Sequence, residues 1–351
     1  MTEVMLLGFG EPETPDLETT VAFLQRIFAS NARLDGDQSE EEALARSRAL
    51  AKRRAPGLLA DYERIGGSPL LGQCRERADL IETELRSRGH SCRVRVGMQF
   101  TEPFIDDVFR ASQAGGTRRI VALPLYPLCG ISTTIAALEA LRQAAAEAEI
   151  VEITGWHSYP PFVTLVADGV RKAAEAAGAD LTDPDTLLYF SAHGTPIRYL
   201  EEGSRYDTYV AELCGAVARE LGEEHCAVGF QNHSNRGIPW TQPDNEDLVR
   251  RVRAKRLVVV PISFLHEQSE TLIELDVDLR ELVEELGMEM VRVPAPPTDG
   301  RLASILADLV EPLLGSDGGA GAEDEGSLGK AGLPYRSCKC RGAPGAVCLN
   351  A

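Results

Sequence analysis

Lysine and arginine are scarce in this chain of 351 residues: 36 stand against 54 aspartates and glutamates, a net charge of −18. A surface field of that sign repels polyanions, which disfavours sequence-independent binding to nucleic acid or to an acidic membrane face. Long apolar runs are lacking too. None nears the roughly 18 residues that a membrane-crossing helix requires. The opening MTEVMLLGFG has neither a basic start nor a long apolar stretch before a cleavage site, so a cytoplasmic setting is expected. No Gly-x-x-x-x-Gly-Lys-Ser/Thr occurs, GFGEP lacks the spacing of a dinucleotide-binding turn, and no Gly-x-Ser-x-Gly is found. Kinase, dehydrogenase and serine-hydrolase chemistry are set aside on those grounds.

What is present reads as a globular α/β protein. Apolar residues make up 44% and charged residues 26%, and the length suits two domains. Short apolar runs alternate with amphipathic stretches of helical length, the pattern of mainly parallel sheets flanked by helices. Strands are predicted at Val4 to Phe9, Cys92 to Met98, Arg119 to Leu125, Ile150 to Ile153, Thr186 to Ser191, Ala227 to Gln231, Leu257 to Ile262 and Met290 to Val293. They fall into two sets of four, which predicts two similar Rossmann-like lobes, 1–153 and 154–315. Helices are expected at Leu17 to Ala29, Arg75 to Arg88, Thr133 to Ala148, Tyr206 to Leu221 and Glu270 to Leu286. A charged helical insertion at 39–65, broken near Pro56, overhangs the carboxyl end of the first sheet. Residues 316–333 lack the apolar content to fold and read as a flexible linker. The cysteine-rich tail 334–351 is too short for its own core, so it is expected to be docked or metal-bound.

Six histidines can be weighed one by one. His193 follows the apolar run TLLYFSA and precedes Gly194-Thr195-Pro196, at a strand's carboxyl tip, where open α/β sheets present reactive groups. His90, His157, His225 and His233 are expected to be solvated. Glu270, Glu274 and Asp278 share one helical face at i, i+4 and i+8. Such a stripe is commonly a solvated face. Starting at a strand's carboxyl end, it can instead aim oxygen ligands into a cleft. Of eight cysteines, Cys338, Cys340 and Cys348 crowd the tail, where a Cys-x-Cys pair with a third nearby points to metal. The scattered Cys74, Cys92, Cys214 and Cys226 are expected to be packing residues.

Seven ordered segments resemble the ferrochelatases, which insert ferrous iron into a porphyrin: LLGFGEPETP, RIGGSPLLGQ, GMQFTEPFIDD, LPLYP followed by STT, SAHGTP, FQNHSNRGIPWTQPDNEDL and PISFLHEQSETLIELD. The resemblance spans residues 3 to 315. It implies two lobes facing a porphyrin cleft, with His193 and Glu270 as the pair that binds iron or accepts protons. Glu274 and Asp278 would extend an acidic track, and Phe9, Tyr62 and Tyr126 would line the porphyrin pocket. Protoporphyrin IX is the expected substrate, with coproporphyrin III the alternative and a non-catalytic heme- or metal-binding protein the next. Two departures stand out. Glu267-Gln268 replaces the family's Asp-His, with His266 displaced beside it, and Gln99 stands where an arginine is common. Some ferrochelatases hold a 2Fe-2S cluster, which here implies Cys129, Cys338, Cys340 and Cys348 as ligands, with four-thiolate zinc the alternative. The spacing of these cysteines departs from the animal form. Peripheral membrane contact by the insertion and the oligomeric state are left open.

Overall fold

The computed structural model describes residues 2–35, 39–145, 148–232, 237–315 and 333–350. All of the predicted linker but residue 333, and His233, lie outside the described residues. Eight strands occur where the apolar runs predict them: β1 Thr2–Gly8, β2 Arg93–Met98, β3 Arg119–Pro124, β4 Glu149–Gly155, β5 Thr186–His193, β6 Cys226–Gln231, β7 Arg256–Pro261 and β8 Glu289–Arg292. Within each set of four all pairings are parallel. Their near-continuous burial, as in β1, β3 and β5, is what a sheet covered by helices on both faces demands.

The sheet orders are β2-β1-β3-β4 and β6-β5-β7-β8, the same winding twice. In each lobe the order reverses between the first and third strands, so the crevice for a ligand opens beyond β1 and β3 in one lobe and beyond β5 and β7 in the other. One apolar core joins the lobes, with Val4, Leu6 and Leu123 in the same cluster as Phe190 and Val260. The helix Gly300–Val310 returns from the second lobe to pack on Leu70–Ser87 of the first.

Three expectations are corrected. The insertion is one unbroken helix, Glu40–Ile65, with Pro56 inside it. Proline removes one N–H and strands the carbonyl of Lys52, but both residues face solvent, where water replaces the lost bond. Pro56→Ala is therefore expected to stabilise the protein by about 1–2 kcal/mol, the helix gain being offset in part by a freer unfolded chain. A urea midpoint unchanged or lowered would contradict this. Secondly, each of the predicted helices at 133–148 and 270–286 contains a wider π-turn: Ile131–Ile135 opens the first, and Glu274–Leu279 follows a short α-helical turn, Ser269–Leu272, in the second. Thirdly, His157 is fully buried and Cys226 exposed, the reverse of expectation. His157 contacts Glu212 through Nε2 at 2.9 Å, while Asn350 of the tail reaches its Nδ1 at 3.0 Å.

The tail is docked. Two short strands, β9 Arg336–Ser337 and β10 Ala346–Cys348, extend the first sheet to six strands. β10 lies parallel to β4 and β9 antiparallel to β10. Glu152 of β4, fully buried, accepts from both Arg142 and Arg341, which ties the tail to the lobe through a paired charge. Among the described residues no helix is long and apolar enough to cross a membrane.

Candidate active site

The carboxyl ends of β1, β3, β5 and β7 converge on a cavity of about 480 Å³. Its walls include Phe9 and Glu11 after β1, Leu125 and Tyr126 after β3, His193 at the tip of β5, and Ser263 and Phe264 after β7. The helices Leu17–Ser30 and Glu40–Ile65 form a further wall with Phe23, Ile27, Leu58 and their neighbours. Such a lining, apolar with a few converging polar groups, suits a flat hydrophobic ligand with a reactive centre.

His193 is pinned by its own backbone. Its N–H donates to Ser263 Oγ at 2.8 Å, and Tyr206 Oη donates to its carbonyl at 3.0 Å. The following glycine is required: a Cβ on Gly194 would lie 1.9 Å from Asn232 Oδ1. Nδ1 stands 2.6 Å from the Gly194 carbonyl, an acceptor only, so this nitrogen carries the proton and Nε2 is turned to the cavity side. There it meets Glu270 Oε1 at 3.1 Å. Burial opposes a charge on His193, but the Glu270 carboxylate, helped by Glu274, overcomes it and lifts the imidazole to about 9.

Glu270 belongs to a four-residue helix, Ser269–Leu272, reached from β7 through residues 262–268. Its Oε2 accepts from Gln268 Nε2 at 2.6 Å, so Gln268, one of the two departures, orients the carboxylate that faces His193. Glu267 is turned away, accepting from Arg292, Thr271 and the Ala295 N–H. His266 is buried 3.3 Å from Arg77 Nη1, and burial first, then that guanidinium, lowers it to about 3, leaving it neutral. Gln231, at the end of β6, donates to the Glu270 carbonyl and to Glu274 Oε2, both at 3.0 Å. Burial and repulsion from Glu270 push Glu274 to about 7. Glu270, Glu274 and Asp278 all line the cavity, so the acidic face survives the change from α- to π-turns. Asp61 of the insertion helix meets the stripe near Asp278, and burial, then Asp61, raises Asp278.

The Ferrochelatase family model matches residues 1–313. This chain belongs to the ferrochelatase family. Ferrochelatase of Synechococcus elongatus is 32% identical over 327 residues, covering 89% of this chain and 82% of the relative. Ferrochelatase of Aquifex aeolicus is 30% identical over 322 residues, covering 88% and 98% respectively. Membership makes the protein an enzyme, a metal chelatase of the lyase class that acts in heme biosynthesis. The structure of SirB from Bacillus subtilis with Fe3+ shares the fold, with a TM-score of 0.51 at 10% identity over 88% of this chain and 94% of that one.

Of the aromatic residues that the ferrochelatase resemblance assigns to the porphyrin, Phe9 and Tyr126 line the cavity. Phe9 packs edge-on against Phe100, and Tyr126 Oη donates to Gln99 Oε1 at 3.2 Å. Tyr62 is fully buried behind the wall, its hydroxyl beside Glu11 and Ser269. Glu11 itself escaped the sequence reading. A lone glutamate after a strand has no periodicity to mark it, and the available signal was its place at the carboxyl end of β1.

The tail cysteines lie beyond the family match. Cys338 exchanges hydrogen bonds with the thiols of Cys340 and Cys348, which hold it far below the usual thiol range. Cys129 is buried after β3 with Cys338 as its charged neighbour, and burial pushes it up to about 12. Tyr209 Oη sits 2.8 Å from Cys340 Sγ. Among the described residues no three His, Cys, Asp or Glu side chains already surround a single ion position.

Proposed function

We propose that this chelatase inserts Fe2+ into protoporphyrin IX, giving heme b, with His193 and Glu270 handling the metal and the departing protons. The observation that carries the reading is the 3.1 Å His193–Glu270 pair at the rim of the cavity between the lobes. A free-base porphyrin must lose two N–H protons, and aqueous iron must shed water before four nitrogens can take it. The site therefore needs a proton acceptor and a temporary ligand beside each other. Imidazole Nε2 and a carboxylate oxygen each serve either need. Iron arriving at the pair displaces the proton they share, because a ligating imidazole is neutral. Glu274 and Asp278 continue from Glu270 as an acidic track for iron entry or proton exit. Phe9 and Tyr126 hold the macrocycle face, and contacts remote from the ring centre supply the energy to bend it and expose nitrogen lone pairs.

Protoporphyrin, with two carboxylates, is favoured over coproporphyrin, with four, by the cations at hand. Among the described residues lining the cavity, Arg54 is the sole lysine or arginine. Anaerobic assays with each porphyrin test this. Turnover per KM is expected to be at least about tenfold greater for protoporphyrin, and a preference for coproporphyrin would reverse the assignment.

The four thiols of Cys129, Cys338, Cys340 and Cys348 fit a 2Fe-2S cluster in donor chemistry: all are sulfur, and Arg341 lies close enough to Cys129 to offset a charge there. Such a cluster would supply a one-electron centre or a structural tie, and these residues would hold it between β3 and the tail. A cluster held by four thiolates goes with the reducing, cytoplasmic setting expected for this chain.

A further inference from the structure

Glu11 is a buried carboxylate that the proposed chemistry does not use. It follows Gly10, whose φ of +89° and whose absent Cβ, otherwise 2.4 Å from Thr101 Oγ1, allow the chain to turn inward after β1. The side chain then spans the two lobes. Ser68 Oγ, of the first lobe, donates to Oε2. Ser269, of the second, donates its hydroxyl to Oε1 and its backbone N–H to Oε2 at 3.2 Å. The Tyr62 hydroxyl of the insertion helix lies beside the same carboxylate. Ser269 is the residue immediately before Glu270 and the first of its four-residue helix. A helix that short has little stability of its own, so its place depends on what grips its ends.

We propose that Glu11 is a positioning residue that clamps the Glu270 helix to the first lobe and so fixes Glu270 against His193 across the cleft. The clamp joins the wall that carries Phe9 to the wall that carries the metal-handling pair, making one rigid frame of two lobes. A carboxylate is suited to this because it accepts from both sets of donors at once, the half-buried N–H of Ser269 included. Glu11 also lines the cavity, but both its carboxylate oxygens are engaged by Ser68 and Ser269, so removing it changes the placing of Glu270 more than the grip on the macrocycle. The inference rests on the role given above to Glu270, and the test separates the two.

Hydrogen exchange needs no activity. In Glu11→Ala, amides at 269–272 should exchange at least tenfold faster than in the wild type, with β1 and β5 unchanged, because the strands keep their own ladders. In the insertion assay kcat should fall at least tenfold while the porphyrin KM stays within twofold. Glu11→Gln, which keeps an acceptor for the Ser269 N–H, should recover to within threefold of the wild type. Unchanged exchange at 269–272, a kcat within twofold of the wild type, or a loss carried by KM would overturn the clamp. Should Glu11→Ala fail to fold, Ser269→Ala, which deletes only the hydroxyl donor, is read by the same outcomes. A wild-type protein that inserts no iron would defeat the functional reading, and the exchange comparison would still decide the clamp.

Discussion

His193→Ala is expected to lower kcat for iron insertion by at least about 1,000-fold, the upper part of the range for losing a positioned acid–base group. The size follows from what the imidazole does in this geometry. Nδ1 is committed to the Gly194 carbonyl, so Nε2 is the nitrogen available at the cavity, and Glu270 lies 3.1 Å from it. Alanine leaves Glu270 near Glu274 with no cation between them, and two carboxylates on a buried face repel. The fold should survive, because the backbone of residue 193 is held by β-pairing to Gln231 and by the Ser263 and Tyr206 hydroxyls, contacts made through its N–H and carbonyl and kept by alanine. Thermal unfolding within a few degrees of the wild type together with lost turnover is the expected result. Near-normal turnover would remove His193 from the mechanism.

The second large effect concerns the tail. Protein purified without oxygen is expected to be red-brown, with iron and acid-labile sulfide in nearly equal amounts, and Cys338→Ser should lose that absorption. Cys338 is the central thiol, hydrogen-bonded to both Cys340 and Cys348 and next to Cys129, so serine there removes the donor common to the group. Cys226→Ser is the control: Cys226 is exposed and belongs to β6 of the other lobe, and its loss should leave the colour unchanged. Colourless protein with neither iron nor sulfide would refute the cluster, and stoichiometric zinc in its place would assign the four thiols to zinc.

Where burial is continuous the sequence is easily read. β1, β3, β5 and β7 are apolar runs because helices cover both faces, and their carboxyl ends put His193 and Tyr126 at the crevice without further information. Features that depend on a partner distant in sequence are not legible in the same way. β10 is three residues long and exists because β4 offers its edge. Pro56 sits within a helix because it happens to face water, which periodicity does not reveal. The π-turn at Glu274–Leu279 preserves the acidic face that α-periodicity predicts, so the face was readable and the turn type was not. Gln268 looked like a loss from the motif. Its amide instead restrains Glu270, a role visible once the 2.6 Å contact is known. Glu11 required both lobes to be in place before its partners, Ser68 and Ser269, could be found.

The most direct measurement is an anaerobic insertion assay with the purified full-length chain, Fe2+ and protoporphyrin IX, followed by the appearance of the heme spectrum. Multiple turnovers above the protein-free rate are predicted. Metalation of neither protoporphyrin nor coproporphyrin above that background would contradict the assignment of iron insertion to this cleft.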